Sequence, residues 1–238
     1  MIGEEKMSVY NRENQYISLL AQKPHAIKEL AEKLFISEPT VRRDIIVLKE
    51  KGLVTSQKGI VALKTNSPDQ RIPLFIRHLE QKEEKRAIAR KAAHYIKDGY
   101  VIMLDASTTA FHLLPHLTYF KNILVITNGA KKALESASMG IRTICTGGEL
   151  MTESFCYVGT DAESVLKNYN ADVAFFSCRG ISENNIANDN SILENAMRKI
   201  MIKNSKKSYL LCDSSKFGKT YLNTLCNVED LNGLITEK

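Results

Sequence analysis

The chain has 238 residues, 44% of them hydrophobic and 25% charged, with a net charge of +6 and an isoelectric point near 9.0. That composition excludes a disordered or fibrous chain and suits one large globular domain or two smaller ones. No apolar run approaches the roughly 18 residues of a membrane helix, and Met1-Ile2-Gly3-Glu4-Glu5-Lys6 is too polar for a secretory signal, so a cytoplasmic protein with no membrane partner is expected.

Tyr16, Ile17 and Leu20 give residues 11–22 one apolar side and predict a first helix, broken at Lys23-Pro24-His25. Ile27, Leu30, Ala31 and Leu34 recur at helical intervals and predict a second. Phe35-Ile36 make a tight turn. Ser37 is a good N-cap, because its hydroxyl can accept an orphan backbone N–H. Pro39 falls in the next helix's first turn, where a missing N–H costs little. Val41, Ile45 and Leu48 face inward at i, i+4 and i+7, and Gly52 stops the helix. The outward set at its start is Glu38, Thr40, Arg42 and Arg43. Arginine can reach guanine edges bidentately or clamp phosphate, and threonine can bond either. Residues 53–56, Gln57-Lys58-Gly59 and residues 60–63 then read as a hairpin, a wing with Lys58 at its tip.

An ordinary helical hairpin would also carry exposed arginines. Cap, turn, apolar spacing, basic pair and wing together favour a winged helix-turn-helix that places one helix in the major groove of double-stranded DNA. The expected DNA contacts are Ser37, Glu38, Thr40, Arg42, Arg43 and Lys58. Positive charge is modestly denser here, with eleven Lys and Arg against eight Asp and Glu in residues 1–65, and 22 against 19 in the remainder. One winged helix reads few base pairs, so a homo-oligomer, at least a dimer, is expected.

Thr65-Asn66-Ser67-Pro68-Asp69-Gln70 and Ile72-Pro73 read as a polar, stiffened linker. The expected domains are 1–64, a linker over 65–79, and 80–238. From about residue 80, helices and short apolar strands alternate. Helices are predicted over 81–97, from 110, and over 131–139, 164–168 and 193–204. Strands are predicted over 100–104, 123–126, 142–145, 173–176 and 208–212. This alternation predicts an α/β domain with a mostly parallel sheet.

Ligands of such sheets bind outside the carboxyl ends of the strands. The loops there are Asp105-Ala106-Ser107-Thr108-Thr109, Thr127-Asn128-Gly129, Thr146-Gly147-Gly148-Glu149, Ser177-Cys178-Arg179-Gly180 and Asp213-Ser214-Ser215-Lys216-Phe217-Gly218. Any one of them could be a simple cap or turn. Together their hydroxyls, glycines and two cations suit a small phosphorylated polyol. The expected ligand contacts are Asp105, Ser107, Thr108, Thr109, Thr127, Asn128, Gly148, Arg179, Gly180 and Lys216. Thr108 and Thr109 would hold phosphate at a helix N-terminus, with Lys216 adding charge. Asp105 would accept a hydroxyl or orient Lys216, and Arg179 would meet a second anionic group.

Five cysteines without Cys-x-x-Cys spacing suit reduced, buried thiols. His112 and His116 have metal-like i, i+4 spacing, but Pro115 lies between them and no third ligand is evident. Met197 and Met201 read as core. No Walker loop or dinucleotide fingerprint is present, so no cofactor and no metal is expected.

The chain resembles the DeoR-type bacterial transcriptional regulators along nearly its whole length. The matching motifs are Glu29-Leu30-Ala31, Ser37, Thr40-Val41-Arg42-Arg43-Asp44, Glu84-Lys85 with Ile88-Ala89, and Asp98-Gly99. Leu104-Asp105-Ala106-Ser107-Thr108-Thr109, Thr127-Asn128, Gly147-Gly148, Gly159 and Asp213-Ser214-Ser215-Lys216-Phe217-Gly218 complete the set. The resemblance implies a sensor domain similar to ribose-5-phosphate isomerase and CoA-transferase domains. It also implies a phosphorylated sugar effector and repression of a carbohydrate operon. Ser107 stands where that family often has glycine, and Arg179-Gly180 where it commonly has Ser-Gly. Gln57-Lys58-Gly59-Ile60 replaces its usual wing, and Asn185 stands near an expected glycine. The alternative is a sugar-phosphate isomerase or transferase with an added DNA-binding domain. An isomerase needs a positioned carboxylate base, and Ser177-Cys178-Arg179-Gly180 offers none where the related isomerases carry paired acids. A non-enzyme is therefore expected.

Overall fold

The computed structural model describes residues 23–63 and 80–238, together with residues 12, 13, 15–17, 19, 20, 77 and 78. Of the linker expected over 65–79, only residues 77 and 78 are described, and they are helical; the rest lies outside the described residues, as do residues 11, 14, 18, 21 and 22 of the expected first helix. The chain divides into two compact units, Met1–Glu80 and Gln81–Lys238.

In the first unit, β1 (His25–Ala26) leads directly into α1 (Ile27–Leu34). Phe35 ends that helix in the left-handed conformation, φ 56°. α2 (Glu38–Glu50) follows, then β2 (Val54–Gln57) and β3 (Ile60–Leu63). Gln57 pairs with Ile60, so Lys58-Gly59 is a two-residue hairpin turn. Both residues have positive φ, 48° and 78°, as a type I′ turn requires. β1 was read as a break; it pairs antiparallel with β3 as the outer strand of a three-stranded sheet. Tyr16, Ile17, Leu30, Val41, Leu48 and Val61 fill the core.

Asp44 is buried in this core although it follows the exposed Arg42-Arg43. Its carboxylate accepts Arg12 Nε at 2.9 Å, Arg12 Nη2 at 3.4 Å and the Tyr16 hydroxyl at 3.1 Å. It therefore pins the helical residues 12–20 that are described onto α2.

The second unit opens with α3 (Lys82–Ala93) and β4 (Val101–Leu104). Two four-residue helices follow, α4 (Thr108–Phe111) and α5 (Leu114–Leu117), the second with Pro115 in its first turn. Then come β5 (Leu124–Thr127), α6 (Ala130–Ser138), β6 (Arg142–Cys145), β7 (Glu149–Met151), β8 (Cys156–Val158) and α7 (Gly159–Lys167). β9 (Ala171–Phe176), β10 (Gly180–Ile181), β11 (Ile186–Asp189), α8 (Ile192–Lys203) and β12 (Ser205–Leu211) precede β13 (Asn223–Asn227) and β14 (Gly233–Ile235).

Six strands form one sheet in the order β14-β12-β9-β4-β5-β6, and every neighbouring pair is parallel. Alternate residues serve opposite faces. Ile102, Leu104, Val125, Phe175 and Leu211 pack with Ile88 and Leu113 on one side. Met103, Ile126, Phe176 and Leu210 pack with Leu166 and Met197 on the other. A strand buried on both faces reads as a continuous apolar run, which is why the central β12, β9, β4 and β5 are legible in the sequence; β6 lies at the sheet's edge and is partly exposed. The β7–β8 pair, the antiparallel β10–β11–β13 sheet and β14 lie outside the expected strands.

Asp44→Ala should cost on the order of 1–3 kcal/mol, since it removes the buried acceptor shared by the Tyr16 hydroxyl and the Arg12 guanidinium. Hydrogen exchange of the α2 amides is the measurement; protection equal to wild type would show that the Arg12–Asp44–Tyr16 cluster does not hold the unit together.

Candidate functional site

The exposed start of α2 carries the expected DNA-contacting groups. Ser37 caps the helix by accepting the Thr40 N–H at 3.4 Å, and its hydroxyl pairs with that of Thr40 at 2.9 Å. Pro39 occupies the first turn. Val41, Ile45 and Leu48 turn inward, leaving Arg42 and Arg43 exposed. Glu38 lies 3.6 Å from Arg42 in a solvent-exposed pair, too weak to immobilise the arginine. Lys58 is exposed at the wing's tip.

In the second unit the carboxyl ends of β4, β5, β9 and β12 meet along one edge. Asp105 is buried at the end of β4. One of its oxygens accepts the Ser107 N–H (3.2 Å) and hydroxyl (2.5 Å), and the other accepts the Ser177 N–H (3.3 Å) and Arg198 Nε (2.9 Å). This differs from the expected role: Asp105 neither orients Lys216 nor keeps a free oxygen for a sugar. Lys216 donates instead to Ser177 Oγ at 2.8 Å and lies 3.6 Å from Asp213. Burial works against the Asp213 carboxylate, but Lys216 and the Ser215 hydroxyl hold its pKa below the usual range.

Ser107 caps α4 by accepting the Ala110 N–H at 3.2 Å, and Thr108 and Thr109 are buried. With only four residues, α4 carries little of the dipole expected to draw a phosphate. Thr127 Oγ1 accepts the Gly129 N–H at 3.1 Å. Asn128 Nδ2 donates to the Tyr157 carbonyl at 3.1 Å, which fixes the amide's orientation. Its Oδ1 is buried without a hydrogen-bond partner among the described residues, and so is Thr146 Oγ1. These two residues follow Thr127 and Cys145, which pair across β5 and β6. Gly129 adjoins Ala106, its Cβ position lying 3.1 Å from that Cα, so the loops after β4, β5 and β6 are contiguous.

The close approaches at Gly148 and Gly180 are made by the protein itself. A Cβ at Gly148, where φ is +102°, would lie 2.9 Å from the Val158 carbonyl oxygen. One at Gly180 would lie 2.5 Å from that of Lys219. Arg179 is 3.7 Å from Asp189 and stands over the Tyr221 ring at 5.6 Å.

Two buried cations were missed by the sequence reading. Arg198, on α8, binds Asp105 and Asp189 at 2.9 Å, Glu194 at 3.0 Å and Asn195 Oδ1 at 3.1 Å. Burial disfavours its charge, yet the three carboxylates raise its pKa above the ordinary value. Lys132, on α6, donates to the carbonyls of Asp105 and Ser107. Burial pushes its pKa down to about 8, against the pull of Asp105. The signal for Lys132 was faint: the neighbouring Leu134 is 75% exposed, an inversion of the ordinary pattern.

His112 is held neutral, with a pKa pushed down to about 4 by burial and by Lys85, Arg86 and Lys82. Among the described residues no group of three His, Cys, Asp or Glu could hold a metal. Among the described residues no helix is long and apolar enough to cross a membrane.

A winged helix-turn-helix followed by a parallel α/β unit with a polar rim at its strand ends defines a DNA-binding regulator that carries a sensor domain. The DeoR-like helix-turn-helix domain matches residues 12–66, and the DeoR C terminal sensor domain matches residues 80–238. The chain belongs to the DeoR family of transcriptional regulators. It is 33% identical over 234 residues to the uncharacterized HTH-type transcriptional regulator YulB of Bacillus subtilis (strain 168), covering 97% of this chain and 90% of that protein. It is 31% identical to the lactose phosphotransferase system repressor of Staphylococcus epidermidis (strain ATCC 12228 / FDA PCI 1200), covering 97% and 93%. It is 30% identical to the L-fucose operon activator of Escherichia coli (strain K12), covering 88% and 86%. Among solved structures, eIF2B delta from Chaetomium thermophilum shares the fold with a TM-score of 0.52 at 18% identity, over 69% of this chain and 59% of that one. A D-ribose-5-phosphate isomerase in complex with phospho-erythronic acid gives a TM-score of 0.44 at 17% identity, over 57% and 54%.

Two outcomes test this geometry. Gly180→Ala forces a Cβ against the Lys219 carbonyl and should destabilise the second unit by about 1–3 kcal/mol; an unchanged melting temperature would contradict the close approach. The Lys132 pKa is lowered in the folded state from an ordinary 10.5 to about 8, so the unfolded chain binds more protons between those pH values. Stability therefore rises with pH across that window. Relative to Lys132→Met, wild type should gain on the order of 3 kcal/mol from pH 8 to 10.5. Denaturant titrations giving a constant difference would show that the ammonium is not buried.

Proposed function

We propose that this regulator represses a carbohydrate-metabolism operon and is released from its operator by a phosphorylated sugar. The DNA half rests on the α2 face, where Arg42 and Arg43 are free to enter the major groove. Thr40 and Glu38 flank them, Ser37 sets the helix start, and Lys58 meets phosphate from the wing. Two copies reading a two-fold operator would make the active species at least a dimer.

The observation that carries the effector half is the polar edge at the strand ends. Buried acceptors at Asn128 and Thr146 have no partner among the described residues, and a buried polar atom left so costs about 1–3 kcal/mol until a hydroxyl or water supplies it. Asn128 and Thr127 would take sugar hydroxyls. Ser107, Thr108, Thr109 and Lys216 would take the phosphate. Gly148 and Gly180 shape the loops, and Asp105 holds them. A general base needs a carboxylate free to accept a proton. Asp105, Asp189 and Glu194 are all engaged by Arg198, which favours binding over turnover. Relatives named as a lactose phosphotransferase system repressor and an L-fucose operon activator support sugar operons as targets.

Operator titrations of single variants test the reading. Arg42→Ala and Arg43→Ala should each cost on the order of 1–3 kcal/mol if they read bases. A phosphate contact alone would weaken all sequences alike and flatten the salt dependence. Wild-type affinity in both would remove the recognition-helix assignment. Lys216→Ala should keep operator affinity and lose release by sugar phosphates. Retained release, or turnover of ribose 5-phosphate by the purified protein, would defeat the effector assignment in favour of another site or an enzyme.

A further inference from the structure

Arg179 carries an unused hydrogen-bonding fork. Its backbone N–H is taken by Asn188 O at 3.0 Å, and its side chain is only 19% exposed. The more deeply buried Arg198 nearby satisfies its guanidinium with carboxylates and an amide oxygen, whereas the partly exposed Arg179 guanidinium keeps its donors open to solvent and so to a ligand. Among the described residues the Arg179 side chain has no hydrogen-bond acceptor. The nearest acid oxygen, Asp189 Oδ1, is 3.7 Å from Nε. That oxygen already accepts the N–H groups of Asn190 at 2.7 Å and Ser191 at 3.4 Å. The other Asp189 oxygen belongs to Arg198 at 2.9 Å. The Tyr221 ring lies 5.6 Å from the guanidinium carbon and supports the cation's flat face. Charge and stacking thus hold Arg179 in place without consuming its donors.

The position of this fork matters. Ile181 bridges in parallel to Phe217, and the Lys219 N–H donates to Ile181 O at 3.2 Å. Residues 179–181 therefore run beside residues 216–219. Arg179 and Lys216 come to neighbouring segments at the same strand ends, both cations, one a rigid fork and the other a point charge.

Resting on the reading that this edge takes a phosphorylated sugar, we infer that Arg179 binds a second anionic group, so that the effector is a sugar with two such groups. A planar guanidinium pairs two oxygens of a carboxylate or a phosphate equally well, which makes the effector a phosphorylated sugar acid or a sugar bisphosphate. Asp189 would keep its bond to Arg198 when Arg179 turns to the ligand, so no buried carboxylate is stranded.

The test uses the full-length protein and matched probes. Glucose 6-phosphate is compared with 6-phosphogluconate, and fructose 6-phosphate with fructose 1,6-bisphosphate, by thermal shift and by operator release. In wild type the second anionic group should tighten binding at least tenfold in one pair. Gain with 6-phosphogluconate assigns a carboxylate to Arg179, and gain with the bisphosphate assigns a phosphate. Arg179→Gln should abolish the gain, so that the two members of each pair bind equally. Tyr221→Leu keeps the charge but loosens the guanidinium, and should reduce the gain; it decides the matter if Arg179→Gln does not fold. Equal binding within both pairs in wild type, or a gain that survives in Arg179→Gln and Tyr221→Leu, overturns the inference while leaving a monophosphate site standing. If no sugar phosphate binds wild type, the strand-end reading fails and this inference with it.

Discussion

The buried guanidinium of Arg198 is the joint on which the polar edge of the second unit depends. It reaches from α8 to Asp105 at the end of β4, to Asp189 at the end of β11, and to Glu194 one turn back on its own helix. Asp105 is distant in sequence while Asp189 and Glu194 are near, and each has given up water to meet it. Such clusters rarely add stability over well-packed apolar side chains, but deleting one member leaves an uncompensated buried charge costing about 3–5 kcal/mol. The cluster therefore acts as a geometric constraint. Given this guanidinium, the β4 loop, the antiparallel β10–β11–β13 sheet and α8 have one satisfactory arrangement.

That constraint decides what the rest of the edge can do. Asp105 is spent on Arg198, Ser107 and Ser177, and Lys132 grips the carbonyls of the same loop from the other side. The loop is thereby held between two cations and cannot offer its carboxylate to a reacting proton. The groups left over are cations and hydroxyl-seeking atoms: Lys216, the Arg179 fork, Asn128 Oδ1 and Thr146 Oγ1. A surface that lends out positive charge while its acids are internally neutralised suits recognition of an anionic polyol.

How much of this could be read in the sequence follows from how local each determinant is. The helix-turn-helix was legible because Ser37, Pro39 and the Val41, Ile45, Leu48 stripe act within one helix. The I′ hairpin at Lys58-Gly59 needs only two residues to declare itself. The central parallel strands were legible as apolar runs, and Arg142–Cys145 falls at the expected bounds. Asp44 carried no expected role, because its partners, Arg12 and Tyr16, are about thirty residues away. Asp105 was given the wrong partner for the same reason: Arg198 is 93 positions distant. The helix expected from residue 110 starts at Thr108 and ends after four residues at His112, with a second short helix from Leu114. Lys132 escaped notice because nothing in a helical pattern marks which of two adjacent lysines will be buried.

The same network sets terms for control by a ligand. An effector can change operator affinity only by preferring one conformation of the sensor over another, and couplings of this kind are worth about 1–3 kcal/mol. Thr127 ends β5 and Asn128 follows it, bonded to Tyr157 of β8, so contacts there meet backbone that the sheet already holds. Arg179 is different. It shares Asp189 with Arg198, so a ligand that draws Arg179 away changes the charge that Asp189 feels, and Asp189 is held on β11 against α8. Burial disfavours the Asp189 carboxylate, and Arg198, Arg179 and two backbone N–H groups together keep it ionised. Removing one of those supports shifts the burden onto Arg198, the joint between α8 and the β4 loop. An anion bound by Lys216 alone would leave that balance untouched. Occupancy and response would then be separable: an anion at Lys216 would add affinity, while one at Arg179 would act through the Arg179–Asp189–Arg198 chain, where binding energy can become a conformational preference.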